Sequence, residues 1–254
     1  MGKERIVEGL SGKQVLITGG CGDIGRAVAR RFLDHGCRVA LADLKAPQEP
    51  AQPDQFPGVE YFQCDVTSKA SVESAVARLG RVDIAICNAG VVKPAAVLEI
   101  EETDWQRTLA VNLTGSFLVA QAAAKLMLRN ERGTHGRRGS ILFTGSWVQQ
   151  MPWPECAAYC ASKGGQEMLM KVLAQELASE GILCNIVAPG LVYAGLTRDI
   201  YDRDPAFRGR VDRTVPLGRM GEPVDIARAI LFLSSEESSY VTGHVLSVNG
   251  GYYL

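Results

Sequence analysis

The chain has 254 residues, 46% of them hydrophobic, and carries 27 basic against 28 acidic side chains for a net charge of -1. That is enough apolar material for one sizeable core, and single α/β domains reach this length. The balanced charge argues against a nucleic-acid binder or a protein drawn to an anionic membrane surface. No apolar run reads as long enough to span a bilayer, and the charged opening MGKERIVEGLSGK does not read as a secretory signal. The seven cysteines (Cys21, Cys37, Cys64, Cys87, Cys156, Cys160 and Cys184) are odd in number and contain no C-x-x-C pair. The three histidines are far apart, so neither a disulfide framework nor a zinc site is expected. A reducing, cytoplasmic setting is the expectation.

Short apolar runs alternate with longer amphipathic ones. Strands are expected at residues 14–18, 38–42, 59–63, 82–87, 140–143, 183–187 and 245–248. Several are almost continuously apolar, as in parallel strands covered on both faces. Helices are expected between them at 24–35, 68–79, 103–129, 155–179 and 223–234. This alternation predicts a doubly wound α/β sheet of about seven parallel strands in a single domain. Thr103 and Asp104 are placed to cap the long central helix, and Glu222-Pro223 opens the last one. Gly36 and Gly181 fall at helix stops. Loops are expected at 46–58, 130–139 and 191–214, the last rich in arginine.

The first strand runs into Thr18-Gly19-Gly20-Cys21-Gly22-Asp23-Ile24-Gly25 and then into a helix. A glycine-rich turn there lets backbone N–H groups approach a pyrophosphate, and the helix start adds partial positive charge. By itself a glycine cluster is weak evidence, because any turn favours glycine. Its placement between strand and helix near the N-terminus is what gives it weight. Asp43 follows 18 residues after Gly25, at the end of the second strand. A carboxylate there accepts hydrogen bonds from ribose hydroxyls and repels a 2′-phosphate. No arginine sits directly beside it, so NAD is expected over NADP.

At this point the sequence resembles the short-chain dehydrogenase/reductase family, over nearly the whole chain from Gly12 to Gly251. The turn resembles T-G-x-x-x-G-x-G, with Asp23 where the middle glycine is usual. Asp23 is expected to point away from the phosphates or to cap the helix. The resemblance places Gly19, Asp23 and Ile24 at the pyrophosphate. It places Asp65 and Val66, in Cys64-Asp65-Val66, at the adenine. Asn88, in Asn88-Ala89-Gly90, matches a strand-end motif. Pro189-Gly190 and Val192 are implied beside the nicotinamide, and a following threonine contact is unassigned because Ala194 stands where it is sought and Thr197 comes later.

Tyr159-Cys160-Ala161-Ser162-Lys163 gives Y-x-x-x-K, with both side chains on one helix face. An ammonium beside the phenol is expected to lower its pKa and make it an acid/base. Taken alone the pattern is common on solvated helices. Ser146, thirteen residues before Tyr159, is implied by the resemblance to polarise the substrate oxygen. Asn112 sits in an otherwise apolar helix, a poor interior position for an amide. The resemblance implies that it kinks the helix and holds a water linked to the lysine. Lys163 and Tyr159 are also implied as cofactor ligands.

The expected activity is NAD-dependent interconversion of a secondary alcohol and a ketone. Segment 191–214 is expected to close over the substrate. Its Arg198, Arg203, Arg208, Arg210 and Arg213 either clamp a carboxylate or form a solvated surface helix balanced by nearby aspartates. Trp147, Gln149, Trp153 and Glu155 either suit a sugar or sugar acid or serve as loop packing. The partner is thus a small-molecule substrate, with neither nucleic acid nor membrane expected. The resemblance implies a homotetramer built from the helices at 103–129 and 155–179. Two alternatives stand: an NADPH-dependent 3-oxoacyl thioester reductase and a non-catalytic dinucleotide sensor.

Overall fold

A computed structural model describes residues 7–45 and 58–253. The loop expected at 46–58 lies outside them except for Gly58, as do the first six residues of the charged opening. Seven strands form one parallel sheet: β1 Gln14–Thr18, β2 Arg38–Asp43, β3 Glu60–Gln63, β4 Ile84–Cys87, β5 Gly139–Thr144, β6 Ile182–Pro189 and β7 Val245–Val248. Their spatial order is β3-β2-β1-β4-β5-β6-β7. The sequence expectation for all seven holds, with shifts only at the ends.

The apolar strand runs divide by the two-residue pleat. Leu16, Ala40, Ala85, Ile141, Phe143 and Cys184 face one side, packed with α2 (Lys69–Leu79), α4 (Ser116–Met127) and α5 (Ala157–Leu177). Val15, Ile17, Val39, Leu41, Ile86 and Leu142 face the other, packed with α1 (Asp23–Asp34) and α8 (Pro223–Ser234). Both faces are therefore dry, which explains strands with almost no polar alternation. The sheet order reverses between β1 and β4, and a crevice opens there at the carboxyl ends of the strands.

The helices differ from expectation in three places. The stretch expected as one helix at 103–129 is α3 (Glu102–Leu109), a π-turn over Ala110–Gly115, and α4. Its N-cap is Glu101, not Thr103 or Asp104, and no side chain caps it; the Asp104 carboxylate pairs with Lys93 instead. By length and composition Glu102–Met127 is apolar enough to cross a membrane, contrary to the sequence reading. Val119, Ala120, Ala123 and Met127 on it are buried in the protein's own core.

Residues 191–214 do not form a loop. They fold as α6 (Gly195–Arg203) and α7 (Pro205–Thr214), separated by Asp204, whose side chain caps α7 through the Ala206 N–H. Proline at the first turn of α7 suits a helix start. The base of this helix pair is anchored where Tyr193 N–H donates to Gly221 O and Gly221 N–H donates to Leu191 O. α7 packs through Val211 and Val215 onto Met220 and Tyr252, near the chain end. All seven cysteines are free, and Cys64, Cys87 and Cys184 are buried as small apolar side chains.

Candidate active site

The glycine turn lies between β1 and α1. Gly19 has φ +62°, and a Cβ on Gly25 would stand 2.5 Å from Gly19 O, so neither position accepts a side chain without movement. No side chain caps α1 at Gly22, which leaves the first N–H groups of the helix for an anion. The groove here measures about 610 Å³ and is lined by Gly19, Asp23, Ile24, Asp43, Asp65 and Val66, among others. A dinucleotide fits this donor set: bare backbone N–H groups at one place, carboxylates at the strand ends beside it.

Asp43 Oδ2 accepts from Cys21 N–H at 3.0 Å, and its Oδ1 accepts from Lys45 N–H at 3.2 Å. The carboxylate thus braces the glycine turn while remaining on the groove wall. Asp65 Oδ1 accepts from the Thr67 N–H and hydroxyl in a local turn, and Asp65 lines the groove. Asn88 is more structural than the sequence suggests. Its Nδ2 donates to Thr18 O and Gly19 O, and its Oδ1 accepts from the Thr144 hydroxyl, so it stitches the ends of β1, β4 and β5. Arg107 of α3 also lines the groove, and no motif in the sequence singles it out.

The groove continues into a cleft of about 230 Å³ lined by Asn88, Ser146, Tyr159, Lys163, Pro189, Gly190, Val192 and Thr197, among others. Thr197 and Ala194 both line this cleft. Val192 O accepts from Ala194 N–H at 2.8 Å, which folds the lid entrance tightly against the cleft.

Ser146 follows β5 in extended backbone and caps a short turn, its hydroxyl accepting from Val148 N–H. Burial pushes the Tyr159 phenol above its ordinary pKa, and a hydrogen bond from the Ser146 hydroxyl pulls it back down. The expected lowering by Lys163 is not what this arrangement gives. The ammonium donates to Thr144 O at 2.7 Å and to Gln166 Oε1 at 3.3 Å, and it stands 5.7 Å from the Tyr159 ring centre. Lys163 is 3% exposed, and burial pushes its own pKa down to about 8.

That depression has a measurable sign. A lysine with a folded pKa below its unfolded value binds protons more weakly in the native state, so its stabilising contribution is present above pH 10.5 and lost as pH falls through about 8. Urea denaturation of the wild type relative to Lys163→Met should show stability rising between those limits, by up to about 3 kcal/mol. A flat difference across that range would contradict a desolvated ammonium.

Asn112 lies in the π-turn and is fully buried. Its amide is committed: Nδ2 donates to Val91 O and to the Ser162 hydroxyl, and Oδ1 accepts from Val91 N–H. Through these bonds it positions the segment after β4 and its junction with α5. The link from the π-turn to the lysine is made by Gln166, also fully buried. Gln166 Nε2 donates to Asn112 O and Ser116 Oγ, while its Oε1 accepts from Lys163. A protein amide thus connects the π-turn backbone to the lysine. Gln166→Leu would orphan these buried groups and should cost about 2 kcal/mol in denaturant unfolding; an unchanged midpoint would contradict the network.

Trp147 and Gln149, between Ser146 and Tyr159, are held by neighbouring side chains. Trp147 stacks on Tyr253 at 4.8 Å and meets Tyr252 and Trp153 edge-on. Gln149 Oε1 accepts from Ser146 N–H and its Nε2 donates to Glu167, completing a capping box. Glu155 adopts φ +64°, and its carbonyl accepts from Ala95 N–H. None of the five lid arginines lines the cleft; Arg198 pairs with Asp23, and Arg210 lies over the Phe207 ring. No group of three or more potential metal ligands occurs among the described residues.

A family model described as enoyl-(acyl carrier protein) reductase matches residues 21–253. An uncharacterised short-chain type dehydrogenase/reductase of Sinorhizobium fredii is 35% identical, over 95% of this chain and 98% of that protein. A D-threitol dehydrogenase of Mycolicibacterium smegmatis is 36% identical, over 96% of this chain and 94% of that protein. The crystal structure of a 3-ketoacyl-(acyl-carrier-protein) reductase from Brucella melitensis complexed with NADH superposes with a TM-score of 0.85 at 30% identity, covering 96% of this chain and all of that one. With this sheet order, this glycine turn and this Ser-Tyr-Lys cleft, the chain belongs to the short-chain dehydrogenase/reductase family of oxidoreductases.

Proposed function

We propose that this enzyme interconverts a secondary alcohol and a ketone with NAD as its cofactor, on a small polyhydroxy or hydroxy-acid substrate. The observation that carries the reading is the continuity of two clefts. One holds Asp43 and the uncapped start of α1, and the other holds Ser146, Tyr159 and Lys163 together. When bound, the dinucleotide supplies a hydride acceptor or donor at its nicotinamide ring. The protein binds, orients and moves the proton.

In that mechanism Ser146 hydrogen-bonds the substrate oxygen and fixes its distance from Tyr159. The Tyr159 hydroxyl gives a proton to that oxygen in reduction and takes it in oxidation. With the phenol pushed above its ordinary value by burial, it stays protonated at neutral pH and carries the proton that ketone reduction consumes. Lys163 uses two N–H groups on Thr144 and Gln166, and its third is free for the cofactor ribose or the phenol oxygen. Asp43 accepts the adenosine ribose hydroxyls and repels a 2′-phosphate. Asp65 and Val66 bound the adenine end, while Pro189, Val192 and Thr197 bound the nicotinamide end. Asn112 and Gln166 hold the interior network in place.

The substrate reading rests on the cleft's small and polar walls, Thr144, Gly145, Ser146, Gly190 and Thr197, and on the relation to a D-threitol dehydrogenase. A panel of polyols, sugar acids, hydroxy acids and acyl-thioester surrogates with NAD tests it at 340 nm. Turnover confined to the thioester surrogates would favour the second reading, a 3-oxoacyl thioester reductase, to which the Brucella melitensis relative points. The seven free cysteines support a reducing, cytoplasmic compartment. Exposed Phe117 and Leu128 after the π-turn, with Met168 and Val172 on α5, support assembly into a homotetramer. Light scattering should give four times the chain mass; a monomer across micromolar concentrations would rule the tetramer out.

A further inference from the structure

Asp23 stands where the family's turn usually has glycine, on the first residue of α1. Its carboxylate does not cap the helix; it reaches the start of α6 instead. Oδ2 accepts from Gly195 N–H at 2.8 Å and from the Arg198 guanidinium at 3.1 Å. Both donors belong to the start of α6, the first lid helix. Gly19, Asp23 and Ile24 line the same groove as Ala194 and Gly195, so the lid meets the glycine turn at the carboxylate. The pair is about a third exposed on each side, and alone such a pair contributes little to stability.

Its weight comes from the charge the groove is built to receive. The uncapped start of α1 attracts an anion. A bare carboxylate on the first residue of that helix would compete for the same field and would repel a pyrophosphate held in this groove. An arginine bonded to the carboxylate cancels that repulsion. We infer that Arg198 is the charge partner that lets a carboxylate stand in the pyrophosphate turn, and that the Asp23–Arg198 pair ties lid helix α6 to the bound dinucleotide. This rests on the dinucleotide-binding reading above, and it makes Arg198 and Asp23 positioning residues for cofactor and lid together. It also gives Arg198 a role toward the cofactor rather than toward a substrate carboxylate.

The test is a mutant cycle read by fluorescence titration of NADH binding, which needs no substrate. Arg198→Ala leaves the carboxylate unpaired beside the phosphates and should weaken NADH by about tenfold. Asp23→Asn removes the charge and keeps an acceptor for Gly195 N–H. In combination with Arg198→Ala it should restore binding to within about threefold of the wild type. A double variant no tighter than Arg198→Ala alone, or Arg198→Ala binding like the wild type, would overturn the compensation. Limited trypsin digestion at Arg203 and Arg208 reads the tie. Saturating NADH should protect the wild-type lid, and Asp23→Gly, which restores the family's usual residue, should lose most of that protection. Equal protection in both would overturn the tie. Failure of the wild type to bind any nicotinamide dinucleotide would defeat the functional reading as well, whereas binding without rescue defeats only this inference.

Discussion

Tyr159→Phe is expected to lower turnover by about a hundredfold to ten-thousandfold, the range that a positioned proton donor or acceptor contributes. The loss should appear in kcat, with NADH affinity within about twofold of the wild type, because the ring and its packing are retained. The argument is geometric. Tyr159 lines the cleft beside Ser146 and Lys163, and the Ser146 hydroxyl bonds to it. Phenylalanine removes only the oxygen that exchanges the proton. Steady-state kinetics on the best substrate of the panel checks this, with fluorescence titration for the cofactor. Substantial residual turnover would remove Tyr159 from the chemistry.

Asp43→Ala should shift the preference between NAD and NADP by about tenfold to a hundredfold toward NADP. A like-charge juxtaposition across a binding site costs several kcal/mol, and the substitution removes it. The same change also deletes the acceptor for Cys21 N–H, so absolute affinity for both dinucleotides should fall. Asp43→Asn separates the two effects. It keeps an acceptor for Cys21 while removing the charge, and should shift the preference with less loss of overall affinity. Parallel titrations with NADH and NADPH measure both. A preference unchanged in both variants would take Asp43 out of the ribose site.

The parallel sheet was legible because burial on both faces writes itself as continuous apolar runs. β1 and β7 fall on the expected residues, and Ser146, Tyr159 and Lys163 converge as their motif order implies. The π-turn was not legible. Asn112 marks an irregularity, but its partners are Val91, Ser162 and Gln166, tens of residues away in sequence. Gln166 escaped notice for the same reason: a glutamine on a helix reads as a surface residue until its neighbours are known. The phenol's pKa was misjudged because spacing gives proximity to a charge and says nothing of the desolvation that opposes it. The lid read as a loop because its helices are short and polar. Spacing left Gln149 and Trp147 open between ligand contact and loop packing, because the contacts that fasten them to Ser146 and the chain end are not written in the local sequence. Asp23 was visible as a departure in the turn, but its partner on α6 is 175 positions away.

The central claim is that hydride passes directly between a carbinol carbon and the nicotinamide while Tyr159 handles the proton. Transfer of label tests it most directly. The enzyme is incubated with NAD and an alcohol substrate carrying deuterium on the carbinol carbon, and the reduced cofactor is analysed by mass spectrometry and NMR. The account predicts one deuterium at C4 of the nicotinamide, at a rate that collapses in Tyr159→Phe. Reduced cofactor without deuterium, or label transfer undiminished in that variant, would contradict it.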